Sequence, residues 1–198
     1  MAPAEDIQAK KRRTRRDYPF HLEYRTRWSD NDMYAHLNNV VYAHLIDSIV
    51  NTYLVSHCGL DPYHHNPLSP SSISSAPSGS NSSRSSQIGL VVSSHCAFFA
   101  PVSFPDVLDL GLRVTRLGAS SADYEVGIFK RGEEAVKAVG GFTHVFVDRG
   151  TGRPAEGGME EGIRRGLERL VVTTPTTDSG DAGAGSDSGA GKGKGSKL

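Results

Sequence analysis

Cysteine is scarce in this chain of 198 residues: Cys58 and Cys96 are the two it has. They lie in separate apolar segments at no metal-ligand spacing, which argues against a disulfide framework and for small buried side chains in a reducing setting. An excess of one charge is missing as well. Lys plus Arg and Asp plus Glu each total 22, so the net field gives no reason to expect nucleic acid or an anionic membrane as a main partner. No run of about eighteen apolar residues occurs, and the start of the chain holds no apolar signal core, so neither a membrane span nor a secretory signal is expected. Several catalytic signatures are absent too. There is no Gly-x-Ser-x-Gly elbow and no glycine-rich phosphate loop after a strand. His57 and Cys58 are neighbours whose side chains diverge, and His64 and His65 have no further ligands at metal spacing. Neither a metal nor a cofactor is expected.

What the chain does contain is hydrophobic periodicity of two kinds. Phe20, Leu22, Tyr24, Thr26 and Trp28 alternate with polar residues, the period of a strand with one buried face. From Asn39 to Ser56 the period changes: Val41, Leu45, Ile49 and Tyr53 form one row, and Tyr42, Ile46 and Val50 widen it. This predicts a long helix, with Asn38 or Asn39 capping its start and Gly59 at a left-handed C-terminal cap. An apolar face this broad needs cover on several sides. Strand-like runs follow at Ile88–Phe99, Val107–Leu117, Ala122–Lys130 and Ala135–Asp148, the third joined to the fourth by a turn at Arg131 and Gly132. A short helical pattern spans Met159–Leu170. Strand, long helix, then four strands with short connections is an α+β arrangement with a largely antiparallel sheet.

Composition divides the rest. Lys10, Lys11, Arg12, Arg13, Arg15 and Arg16 crowd the N-terminus, and residues 1–17 are expected to be a basic, disordered tail. Between Ser69 and Ser86 eleven of eighteen residues are serine, too little apolar area to offset the entropy of ordering, so residues 66–87 are expected to be a disordered insertion in one domain spanning 18–172. Residues 173–198 read as a flexible tether of Gly, Ser, Asp and Lys. It ends in Ser196, Lys197 and Leu198, the tripeptide read by the peroxisomal import receptor, and its position on a tether would leave it exposed.

The segment RWSDNDMYAHLNNVVYAHLID, Arg27 to Asp47, joins the first strand to the helix. It resembles the 4-hydroxybenzoyl-CoA thioesterase family, whose members carry Asp-x-Asp at the strand exit, a His-x-Asn-Asn or equivalent loop, and a Tyr one turn into the helix. Here these are Asp30, Asp32, His36, Asn38, Asn39 and Tyr42. The resemblance extends from Tyr18 to about Arg153 and includes AFFAPVSFPDVLDLGLRV, Ala97 to Val114. It implies a hot-dog fold, a curved five-stranded antiparallel sheet wrapped around the long helix, and hydrolysis of a fatty or aryl acyl-CoA. Ala35 stands where many relatives have Gly, which would cost the loop backbone freedom.

Thioester hydrolysis needs an attacking water or carboxylate, and donors for the oxyanion. By ungapped count the family's catalytic carboxylate maps to Asp32, as general base or nucleophile. The amide of Asn39, at the positive end of the helix, is placed to receive the thioester oxygen, and the resemblance implies the same position. Asp30 would point to the other face of an extended segment and organise the loop. His36, Asn38 and Tyr42 take supporting roles: loop hydrogen bonding, helix capping, and packing on substrate or core. Arg113, Arg116, Lys130 and Arg131 are candidates for the CoA phosphates on charge alone. A homodimer or dimer of dimers is expected from an unpaired sheet edge, a half-covered helix and the resemblance. Two other readings stay open: a non-catalytic acyl-CoA-binding module, and a hot-dog hydratase or dehydratase using Asp32 with His36.

Overall fold

The computed structural model describes residues 7–60 and 85–172. The core of the serine-rich insertion, His64, His65, and the C-terminal tether with Ser196, Lys197 and Leu198 lie outside the described residues. Within them, β1 (Phe20–Arg25), α2 (Asn39–His57), β2 (Gln87–Phe98), β3 (Val107–Leu117), β4 (Ser121–Lys130) and β5 (Val136–Asp148) follow the expected order, preceded by a short helix α1 (Ile7–Lys11) and followed by α3 (Glu161–Glu168). The sheet is antiparallel throughout, with order β1-β3-β4-β5-β2, so β1 and β2 are its edges. The fold is the α+β hot-dog arrangement.

Side-chain alternation assigns the two faces. Leu108, Leu110, Leu112 and Val114 of β3, with Val126 and Ile128 of β4, meet Leu45, Ile46, Ile49, Val50, Tyr53 and Leu54 of α2 in one core. Burying such side chains contributes roughly 1.5–3 kcal/mol each. The opposite face of α2 is not covered: Val40, Ala43, His44, Asp47, Ser48 and Thr52 are exposed. Asn38 caps the helix, its side chain accepting from the Val40 amide at 3.1 Å. Gly59, at φ 71°, follows the last turn in the left-handed region. α3 closes the far end through the Tyr53 hydroxyl, which donates to the Gly166 carbonyl at 2.7 Å.

Two expectations change. Residues 7–17 are folded against the outer face of the sheet. Tyr18 is the pivot: its ring fills the space above Gly111 and Gly127, where an added Cβ would come within 2.7 and 2.6 Å of it. Its hydroxyl donates to Glu125 at 3.0 Å. Arg13 pairs with the same carboxylate at 3.0 Å, and Arg15 donates to Asp109 and to the carbonyls of Glu133 and Lys130. The basic residues order because the outer face holds carboxylates set among glycines. Ser85 to Gln87, assigned to the insertion, belong to the folded part: Gln87 is buried, opens β2 and donates to the Gly158 carbonyl at 2.8 Å.

Candidate active site

The loop between β1 and α2 is a tight hairpin standing on the end of the helix. Asn31 and Leu37 form an antiparallel bridge, the Asp32 amide donates to the His36 carbonyl at 2.7 Å, and the Asn38 amide donates to the Asp30 carbonyl at 2.8 Å. This ladder carries the chain back from Asp32 to the first turn of α2. Ala35 lies at its tip with φ 59°, in the left-handed region where a Cβ is unfavourable. The β2–β3 connection braces the hairpin from behind. Val102 accepts from the Leu37 amide at 2.8 Å, and the Phe104 amide donates to the Asn31 side chain at 3.0 Å.

The two carboxylates sit in different surroundings. Asp30 is buried and accepts from the Tyr24 hydroxyl at 2.8 Å, the Arg27 amide at 2.8 Å and the Arg27 guanidinium at 3.2 Å. Burial alone would raise its pKa. The donors from Arg27 and Tyr24 outweigh burial and hold the carboxyl below its usual range. Asp32 is half-exposed. Its Oδ1 accepts from the amides of Tyr34 at 2.8 Å and His36 at 3.1 Å, while Oδ2 has no partner among the described residues. His36 reaches Asp32 through its main chain, and its ring is exposed.

Asn39 opens α2, and its amide has no acceptor among the described residues. The residue lines a cavity of about 350 Å³ with Ala43 and Ile46 of α2, Ser94, His95, Cys96 and Phe98 of β2, and Gly141 and Phe142 of β5. Its lining is mainly apolar, with Asn39, Ser94 and His95 as the polar members, the character of a site that orients a polar group on an apolar ligand. Tyr42 is buried behind it, edge-on to Phe98 at 4.9 Å between ring centroids, and burial pushes its hydroxyl up to about 12. Burial likewise raises the Cys96 thiol to about 11, leaving it neutral. Asp32 is not among the lining residues; it lies in the hairpin that leads into the helix.

The four cations considered for phosphate binding are paired to carboxylates. Arg113 meets Glu125 at 2.8 Å, Arg116 meets Asp123 at 2.6 Å, Lys130 meets Asp106 at 3.0 Å, and Arg131 meets Glu23 at 2.8 Å. The β2 and β5 residues of the cavity were not identified from sequence, because strand register decides which of them face the helix. Among the described residues no three of His, Cys, Asp and Glu are grouped to hold a metal ion, and no helix is long and apolar enough to cross a membrane.

The profile of the Thioesterase superfamily matches residues 34–137. The chain is similar to the PA5185 protein of Pseudomonas aeruginosa, with 40% sequence identity, a TM-score of 0.66, and coverage of 80% of this chain and 95% of that one. It shares its fold with a thioesterase from Thermus thermophilus solved in complex with coenzyme A and Zn, at 21% identity, a TM-score of 0.56 and coverage of 78% and 95%. It does so too with a 1,4-dihydroxy-2-naphthoyl-CoA thioesterase from Synechocystis, at 18% identity, a TM-score of 0.58 and coverage of 76% and 96%. No curated protein sequence matches the chain significantly.

Proposed function

The chain belongs to the thioesterase superfamily, and on that premise we propose that it hydrolyses a fatty or aryl acyl-CoA to the free acid and CoA, with Asp32 and the Asn39 amide as the reacting pair. The observation that carries this reading is the unpartnered Asn39 amide, at the positive end of a 19-residue helix and on the wall of an apolar cavity. A thioester carbonyl seated there accepts a hydrogen bond that strengthens as its oxygen becomes an anion. The Asp32 carboxylate either takes a proton from the attacking water or attacks the carbonyl itself. In the first case the tetrahedral intermediate collapses with loss of the CoA thiolate, which recovers a proton. In the second the C–S bond breaks as an acyl-aspartyl anhydride forms, the CoA thiolate leaves and takes up a proton, and water then cleaves the anhydride to the free acid and the Asp32 carboxylate.

Supporting roles follow the hydrogen bonds. Asp30 ties Tyr24 and Arg27 to the base of the hairpin, Asn38 caps the helix, His36 fixes the Asp32 carboxylate through its amide, and Tyr42 backs the cavity. A second protomer completes the assembly. β2 is an unpaired edge strand exposing Leu90, Val91 and Val92, and it runs beside the uncovered face of α2. Pairing of two β2 edges would cover both, giving a homodimer or a dimer of dimers. The terminal Ser196, Lys197 and Leu198 support import into the peroxisome matrix through the import receptor.

A thiol-release screen across short, medium, long and aryl acyl-CoAs tests the activity and selects the acyl class. Tight binding without thiol release would make the protein an acyl-CoA-binding module instead. A monodisperse monomer by light scattering would contradict the dimer.

A further inference from the structure

The long axis of the cavity is set by the register of β2 on β5. Phe98 pairs with Ala138 and Ser94 with Phe142, and four residues of strand span about 13 Å. Tyr42, in the first turn of α2, is edge-on to Phe98. Ile46, one turn further on, reaches the sheet at Gly140, where an added Cβ would come within 2.6 Å of its Cδ1. The helix therefore runs from the Phe98 end of the cavity toward the Phe142 end. Asn39 and Phe142 both line the cavity, and this direction puts them at its opposite ends.

A thioester held by the Asn39 amide lays its acyl chain along β2, past Ala43 and Cys96, toward the Phe142 ring. That ring is buried and backed by others. Tyr124 stands edge-on to it at 5.4 Å between centroids, and the His144 ring lies at 4.7 Å; both are buried as well. Side chains packed in this way leave Phe142 no vacant space to swing into, so its ring is a fixed end wall.

We propose that Phe142 is a specificity-determining residue: its ring ends the acyl site, so that acyl-CoAs with short and medium chains are preferred over those with long ones. The inference rests on the acyl-CoA reading above and adds the acyl class to it. A chain that stops short of the ring leaves apolar wall in contact with water, and each methylene added up to the ring gains about fourfold. A chain that outgrows the span has to push the ring into filled space or bend out of the cavity, and it forfeits that gain.

The test is a profile of kcat/KM against chain length, from acetyl-CoA to palmitoyl-CoA below micelle-forming concentrations, for wild type, Phe142→Leu and Phe142→Ala. The wild-type value rises by about fourfold per methylene to an optimum and falls by about tenfold or more beyond it. Phe142→Leu keeps an apolar side chain of comparable size, and the fold with it; it moves the optimum to longer chains, and Phe142→Ala moves it further. Three results overturn the proposal: a wild-type profile with no fall at long chains, an optimum that stays in place in Phe142→Leu, or a loss by the same factor at every length, which is what a purely structural residue gives. Failure of the wild type to release thiol from any acyl-CoA would instead overturn the hydrolase reading. The acyl-CoAs then stay intact, and calorimetric binding of the same series to wild type and Phe142→Leu decides the role of Phe142 by the same shift in optimum.

Discussion

Asp30 and Asp32 stand two residues apart in one hairpin, and different kinds of donor hold their carboxylates: the Tyr24 hydroxyl of β1 with the amide and guanidinium of Arg27 for Asp30, amides of its own loop for Asp32. Asp30 is consumed by structure. Asp32 keeps one oxygen without a partner among the described residues. Asp32→Asn preserves the shape and an oxygen for the Tyr34 and His36 amides while removing the charge. It is expected to lower kcat by about 100-fold or more with little change in thermal midpoint, read by thiol release and calorimetry. Near-wild-type turnover would remove Asp32 from the mechanism.

Proline is a clean probe of the proposed oxyanion donor, because Asn39 is the first residue of α2, where Pro is tolerated and its missing N–H breaks no helix bond. Asn38 already has the extended conformation that a following Pro demands, at φ −61° and ψ 138°. Asn39→Pro should fold normally and lose roughly 100- to 1,000-fold in kcat. A substitution to Ala at the same position, which keeps the amide, should lose much less.

Ala35 holds a left-handed conformation at the hairpin tip. Ala35→Gly is expected to stabilise the protein by up to about 1 kcal/mol in urea titration, and Ala35→Val to destabilise it by a similar amount or more. Equal midpoints for all three residues would show that the loop relaxes around the side chain.

His144 is buried among Tyr124, Phe142 and Phe146, and its Nδ1 has no hydrogen-bond partner among the described residues. Burial lowers its pKa from the ordinary 6.5 to about 4. The folded state thus resists protonation that the unfolded state accepts. The contribution of this residue is complete above pH 6.5 and is lost progressively as pH falls toward 4, amounting to about 3 kcal/mol in all. His144→Leu should flatten the dependence of stability on pH across that window, measured by denaturant midpoints at about pH 7, 5.5 and 4.5. An unchanged slope would place the acid sensitivity in other groups.

Gly127→Ala would drive a methyl into the Tyr18 ring. The expected loss is about 1–3 kcal/mol, and it should shrink markedly in a Tyr18→Ala background, where the ring is gone.

Much of this was legible in the chain itself, for a physical reason: local patterns report local structure. The period-two run at Phe20 and the period-3.6 run after Asn39 placed β1 and α2 to within a few residues, and Val107–Leu117 has the same bounds as β3. Gly59 reads as a cap from its position alone, and its φ of 71° agrees. What escaped was non-local. Nothing near Lys10 to Arg16 announces Glu125, Asp109 or the gap above Gly111 and Gly127, so a basic run looked like a solvated tail. The same blindness made Arg113, Arg116, Lys130 and Arg131 look available for phosphates, since their carboxylate partners come together through strand pairing. The cavity walls in β2 and β5 depend on register and on the irregularity between Val91 and Ser93, neither of which is written in hydropathy.

The attachment of Arg13 and Tyr18 to Glu125, across 112 and 107 residues of chain, also fixes when the N-terminal segment can settle. During synthesis it leaves the ribosome ahead of its acceptor, which is made about 5–20 s later at ordinary elongation rates. Through that interval the six-cation stretch is an unneutralised polycation open to any anionic surface. Its docking is therefore a late step of maturation, possible only when β4 is in place.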